Sequence, residues 1–331
     1  MLPQPPVQSV PPIWKRIFRQ NFRKWDALAD FLDLSPQQRQ SILTAPNFSL
    51  NLPLRLAQKI AKGTLDDPIL KQFLPTTAES LSLPLFVADP VGDGCSRPSP
   101  KLLHKYDGRV LLICTSACAM HCRYCFRQNF DYEVNEKGFD NELALIAQDP
   151  SIHEVILSGG DPLSLSNRTL NNLIHNLAKI PHIKRLRFHT RFPIGIPERI
   201  DNDFLSLIGK APFQIWFVIH VNHPKELDDE ILEKLHALQK LRVMVLNQAV
   251  LLRGINDSVS TLKELCETLA NHGILPYYLH QLDRVKGATH FEVPHCEGIA
   301  LIQEITKQLP GYAVPKYVQE IAGEPSKTLL M

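Results

Sequence analysis

The chain has 331 residues, 44% of them hydrophobic and 21% charged, with a formal net charge of +2. Such a composition can bury a sizeable core and excludes intrinsic disorder, collagen-like repeats and coiled coil. The 36 basic and 34 acidic residues nearly cancel, so charge points to neither a nucleic-acid nor a membrane partner. The 7 cysteines are odd in number and four of them, Cys114, Cys118, Cys122 and Cys125, crowd into one short stretch. That is metal or redox chemistry in a reducing compartment rather than a secreted disulfide framework.

The first residues, MLPQPPVQSVPP, lack the charged n-region and apolar h-region of a signal peptide. No apolar run reaches the roughly 20 residues of a membrane span, so the expectation is a soluble, cytoplasmic protein. From 13 to about 80 the pattern is helical, with Trp14, Ile17, Phe18, Phe22 and Trp25 at three- and four-residue spacing. Ser35 followed by Pro36 reads as an N-cap with proline in the first turn. Residues 81–105, rich in Pro, Gly and Ser, read as an extended connector, and a boundary near 105 divides a helical region (1–105) from a second unit (106–331).

In that second unit, apolar strand candidates at 110–115, 154–158, 185–189, 214–220, 243–250 and 274–280 alternate with amphipathic helices near 137–148, 168–179, 199–209, 225–240, 258–271 and 296–308. A last short strand is expected at 313–318. Regular strand–helix alternation implies right-handed crossovers and a parallel sheet. Six such units predict an α/β protein built as a partial (β/α)6-type barrel with a helical N-terminal region, although spacing alone does not exclude a doubly wound sheet. In either case the chemistry belongs at the C-terminal ends of the strands.

Immediately after the first of these strands, Cys118-x3-Cys122-x2-Cys125 places three thiols in one loop. Thiolates are the usual ligands of iron–sulfur clusters, and three of them on a four-iron cluster leave one iron for a small molecule. Structural zinc would need His121 or Cys114 to complete a cramped set of four. An electron-carrier cluster would need a fourth cysteine, and Cys114, in an apolar run, reads as a small core residue. Cys95, Cys266 and Cys296 carry no motif.

The second strand ends in Ser158-Gly159-Gly160-Asp161, whose glycines admit close backbone approach. Later strands end in His189-Thr190-Arg191, His220-Val221-Asn222-His223 and Asn247-Gln248. His220 and His223 invite a metal reading, but no carboxylate or cysteine stands beside them in sequence, and a hydrogen-bonding role at the barrel mouth suits them better.

Cys118, Cys122 and Cys125, with Tyr124 before the last, resemble the signature of the radical S-adenosylmethionine (SAM) superfamily. The resemblance implies a [4Fe-4S] cluster whose open iron binds SAM, a one-electron donor, and a glycine motif near the SAM methionine at Gly159, Gly160 and Asp161.

Three further segments narrow the resemblance: His104-Lys105-Tyr106-Asp107-Gly108-Arg109, Tyr277 to Asp283, and the end of the chain from Pro315 to Lys327. Alone, a lysine so near a terminus reads as a solvated tail residue. Together they resemble the lysine 2,3-aminomutases, which add pyridoxal 5′-phosphate (PLP). The similarity is greatest to the short bacterial branch that makes (R)-β-lysine for elongation factor P, acting with that factor's lysine ligase. The resemblance implies that Lys327 holds PLP covalently and that Lys105, Tyr106 and Arg109 hold its ring and phosphate. It places His220 and Gln248 beside SAM, Arg127 on the substrate carboxylate, and Asp283 with Glu320 on the ε-ammonium of L-lysine. Two carboxylates facing one buried ammonium are physically sensible, although the family's second aspartate is here Glu320. That acidic pair argues against a glutamate 2,3-aminomutase. The chain ends four residues after Lys327, and the expectation is that it lacks the cysteine-rich zinc region of the longer catabolic enzymes. Other radical SAM reactions and a non-catalytic cluster protein are the competing classes.

Overall fold

A computed structural model describes residues 11–132 and 138–331. The signal-peptide question therefore falls largely outside the described residues, as does residue 137 at the start of one expected helix.

Among the described residues, nine strands form one sheet in chain order: β1 (Leu102–Tyr106), β2 (Arg109–Thr115), β3 (Glu154–Gly159), β4 (Arg185–Thr190), β5 (Gln214–Ile219), β6 (Met244–Val250), β7 (Leu275–His280), β8 (Lys316–Gln319) and β9 (Thr328–Leu329). Neighbours from β2 to β8 pair parallel, while β1 and β9 pair antiparallel with the flanking strands. Residues of both edge strands line the same central cavity, so the sheet curls round it without β1 and β9 pairing to close it.

The expected crossover helices lie between the strands: Asp140–Gln148, Asn167–Leu177, Asn202–Gly209, Asp229–Gln239, Val259–Asn271 and His295–Thr306. The helix Asn167–Leu177 shows the local logic. Leu170, Leu173, Ile174 and Leu177 form its buried stripe, and the Ser166 side chain caps it by accepting from the Thr169 N–H. On the strands, alternate residues such as Leu186 and Phe188 of β4 enter the core under the helices, leaving Arg187 and His189 for the cavity. The equivalent starts of β2 to β5, with Arg109, Glu154, Arg185 and Gln214 in register, bring their C-terminal ends to one side.

Three segments differ from the sequence expectation. The N-terminal region is not continuous helix but short pieces, Ile13–Phe18, Trp25–Phe31, Pro36–Arg39, Leu54–Gln58 and Pro68–Phe73. Prolines with side-chain caps punctuate it: Ser35 and Gln38 form a reciprocal capping box ahead of Pro36, and Asp67 caps the helix that starts at Pro68. One hydrophobic core runs from Trp14, Leu28 and Phe73 into Leu112, Phe188 and Phe217, so these pieces and the barrel share an interior. The stretch read as connector contains β1, whose Leu102 and Leu103 are buried against β2. The last expected strand begins at Lys316 because Gly311–Ala313 forms a single 3-10 turn, and β9 then folds back on it, pairing Thr328 with Gln319. Among the described residues, no helix is long and apolar enough to cross a membrane.

Candidate active site

A cavity of about 730 Å³ occupies the C-terminal side of the barrel. Its wall includes every residue that the sequence marks as a candidate: Cys118, Cys122, Tyr124, Cys125 and Arg127; Gly159, Gly160 and Asp161; His220 and Gln248; and Lys105, Tyr106, Arg109, Asp283, Glu320 and Lys327. Residues more than 200 positions apart thus face one space.

The cysteine loop follows β2. Cys118, Cys122 and Cys125 are half-buried, whereas Cys114 is buried within β2, with the core. Burial pushes the Cys118 thiol well up and the Cys125 thiol up to about 11, so iron binding must displace protons from them. Among the described residues no three His, Cys, Asp or Glu side chains converge on a point as the ligands of a single metal ion do. Three thiols within one loop suit a cluster, where each iron takes its own thiolate.

The glycines of β3 serve this loop directly. Gly159 has φ +107°, and a Cβ there would lie 2.9 Å from the Thr115 carbonyl oxygen. A Cβ on Gly160 would lie 2.4 Å from the Ala117 oxygen and 2.7 Å from the Ser116 carbonyl carbon. Backbone-to-backbone packing against the cysteine loop therefore requires glycine at both positions, independently of any ligand. Asp161 is buried and accepts from the Thr190 hydroxyl and from the N–H groups of Leu163, Arg191 and Phe192. Burial raises its pKa to about 6 despite these donors. His220 and Gln248 contact each other across β5 and β6, and burial holds His220 neutral with a pKa of about 3.

Elsewhere on the cavity wall, Lys327, the residue immediately before β9, has its Nζ on Glu320. Glu320 also accepts from the Tyr106 hydroxyl at 2.6 Å and lies 3.6 Å from the Lys105 ammonium. Burial alone would raise the Glu320 pKa, but these partners, Lys327 foremost, hold it below the usual carboxylate range. Asp283 faces the cavity, and among the described residues no ion pair to its carboxylate is found. Its pKa rises to about 7, chiefly through burial, with Lys327 opposing and Glu320 adding to the shift. The Arg109 guanidinium lies 4.6 Å over the Tyr106 ring. One amine, an aromatic and two cations around one wall fit a flat phosphorylated aldehyde.

Residues 107–189 match a family model described as a 4Fe-4S single cluster domain. The chain is 40% identical over 333 residues to L-lysine 2,3-aminomutase of Haemophilus influenzae, covering 99% of this chain and 98% of that protein. It is 42% identical to the Escherichia coli protein of the same name, over 86% of this chain and 83% of that one. The chain belongs to the L-lysine 2,3-aminomutase family. The protein of that name from Clostridium subterminale is 32% identical over 96% of this chain and 77% of its own. Among solved structures, S-adenosylmethionine-bound SuiB of Streptococcus suis shares the fold at TM-score 0.50 and 15% identity, over 65% of this chain and 51% of that chain.

Two parts of this aminomutase-family site carry no sequence motif. Asp93, buried within the connector, takes the Lys105 ammonium at 2.7 Å on one oxygen and the Arg127 Nε at 2.8 Å on the other. Burial works to raise its pKa, but Arg127 and Lys105 outweigh that and hold it low. In a Pro- and Gly-rich stretch an aspartate reads as a turn residue, so nothing in its neighbourhood flags it. The second part is a buried network behind Cys122. Arg191 reaches Cys122 and the Tyr124 hydroxyl with Nη1, and Gln72 and Glu226 with Nη2. His189-Thr190-Arg191 was a candidate by its place at a strand end, but Gln72 and Glu226 gave no signal.

Proposed function

We propose that this chain converts L-α-lysine to (R)-β-lysine by radical migration of the amino group, using a [4Fe-4S] cluster, SAM and PLP. The observation that carries the reading is the shared cavity, whose wall carries the three thiols together with Lys327, Asp283 and Glu320. When bound, the cofactors supply the radical that starts the migration and the π-system that stabilises it.

The residues of this chain supply position and charge. Cys118, Cys122 and Cys125 hold the cluster, while Gly159, Gly160, His220 and Gln248 line the space beside it for SAM. Lys105, Tyr106, Arg109 and Lys327 form the PLP wall. Arg127, buried and already fixed by Asp93, offers its remaining guanidinium N–H groups to the substrate carboxylate. Asp283 and Glu320 receive the distal ammonium, and their two negative charges favour lysine over a substrate ending in a carboxylate. Glu320 lies beside both the Lys327 amine and Asp283, so the substrate ammonium would be received next to the cofactor-holding lysine. In the same reading, residues 106–331 are the catalytic unit and 1–105 the region that braces it.

Anaerobic reconstitution with iron, sulfide, PLP, SAM and L-lysine should yield β-lysine, and Lys327→Ala should yield none. Product formation at the unaltered rate by a folded K327A protein would remove Lys327 from this role. The stretches Asp283 to Gly287 and Gly323 to Lys327 support a product destined for elongation factor P through its lysine ligase. A strain lacking this protein should then accumulate unmodified factor.

A further inference from the structure

Beside the cysteine loop, with Arg191 and Tyr124 at the cavity wall and Glu226, Gln72 and Asn222 behind them, lies a network of buried polar groups that the proposed reaction does not use. Arg191, Glu226, Gln72, Asn222 and Tyr124 are all less than 9% exposed. Glu226 accepts from Arg191 Nη2 at 2.7 Å, from Gln72 Nε2 at 3.0 Å and from the N–H groups of Asn222 and His223, each at 3.0 Å. The other end of the guanidinium, Nη1, donates to Cys122 Sγ, 2.8 Å away, and to the Tyr124 hydroxyl. The ring of Phe73 packs 4.9 Å beneath the guanidinium. An ion pair this deeply buried gives little net stability over an apolar substitute, so stability alone is a poor reason for it.

The pair is also oriented. Glu226 lies on the far side of Arg191 from the loop, so the positive end of the dipole faces the sulfur. Gln72 belongs to the helix Pro68–Phe73 of the N-terminal region, and that region grips the loop elsewhere. Asn21 Nδ2 donates to the Ala119 oxygen at 2.7 Å and Asn51 Nδ2 to the Cys118 oxygen at 3.1 Å. The Gln72 carbonyl accepts the Arg123 N–H at 2.9 Å.

We infer that Arg191 is a positioning residue for the cluster: held by Glu226 and Gln72, it donates to the Cys122 sulfur and raises the cluster's reduction potential. The inference rests on the cluster reading above. A donor and a positive charge at a cysteine sulfur stabilise the reduced cluster, with its additional electron, more than the oxidised one. The N-terminal helices thereby become part of the electron-accepting site, because they fix the guanidinium from behind. The reaction concerned is the uptake of one electron by the cluster from an external one-electron reductant.

The test is a dithionite titration of the reconstituted, SAM-free protein, followed by electron paramagnetic resonance, on wild type, Arg191→Lys and Gln72→Met. Lysine keeps a charge for Glu226 but cannot reach Glu226 and Cys122 together. R191K should carry a full complement of iron and sulfide yet hold about tenfold more oxidised cluster at a fixed potential, a fall of about 59 mV for one electron. Gln72→Met keeps Arg191 and Glu226 but removes the Gln72 acceptor from Nη2, so the guanidinium is held less firmly at the sulfur and the midpoint should fall, by less than in R191K. An unchanged midpoint in a fully loaded R191K would overturn the inference. Should R191K fail to fold, Q72M decides: a fall supports it, and an unchanged or higher midpoint overturns it. Failure of the wild type to assemble any cluster would instead overturn the cluster reading itself.

Discussion

Asp283 gives the sharpest test of the substrate end of the cavity, because its ionisation changes within an accessible pH range. Its pKa of about 7 in the ligand-free protein reflects burial first, opposed by Lys327 and reinforced by Glu320. Glu320, held below the usual carboxylate range by its partners, stays charged throughout. A lysine ammonium needs Asp283 ionised, and about one molecule in ten meets that condition at pH 6 against about nine in ten at pH 8. The apparent Kd for lysine should therefore fall about tenfold between those values, roughly 1.4 kcal/mol. Calorimetric titration before PLP or SAM is added measures it free of turnover and with the Lys327 amine unmodified, the condition to which this pKa applies. The α-amino group of lysine adds its own pH dependence, so Asp283→Asn is the control. D283N should bind more weakly at pH 8 and lose that tenfold component, leaving a shallower slope. Identical slopes in the two proteins would refute the assignment of Asp283 to the ammonium. The same raised pKa carries a stability sign. The folded state binds this proton more tightly than the unfolded chain, so the contribution is full below about pH 4 and is lost as the pH rises to about 7.

Other perturbations address the scaffold. Gly160→Ala drives a Cβ to 2.4 Å from the Ala117 oxygen, and backbone cannot swing aside as a side chain can. The variant should lose about 3 kcal/mol in urea unfolding and load less iron; wild-type stability would show that the cysteine loop is looser than its packing implies. Asp93→Asn leaves Lys105 and Arg127 facing each other without the carboxylate between them. It should cost about 3–5 kcal/mol and raise the KM for lysine. Because the Asp93 pKa is depressed, the wild type should lose this stabilisation as the pH falls through the carboxylate range, and D93N should show no such component.

Much of the molecule follows from local pattern. The helix Asn167–Leu177 and strand β4 are set by apolar residues repeating every three to four positions or every second one, a property of neighbouring residues that needs no knowledge of the fold. The three thiols are equally local, since Cys118, Cys122 and Cys125 cannot leave one another's vicinity. Lys327 is different: its sequence neighbourhood reads as a mobile tail, and only the pairing of Thr328 with Gln319 brings it to the cavity. The lysine could be named from a resemblance, but its address came from β9. Asp93 and the Arg191–Glu226–Gln72 network were illegible for the same reason, Gln72 and Arg191 being 119 residues apart. Periodicity and spacing are short-range and survive in the sequence as pattern. A buried charge finds its partner through the path of the whole chain, so the sequence determined the parallel strands, their crossover helices and the loop that holds the thiols, and the tertiary structure alone decided the edge strands β1 and β9 and which charges meet behind and across from that loop.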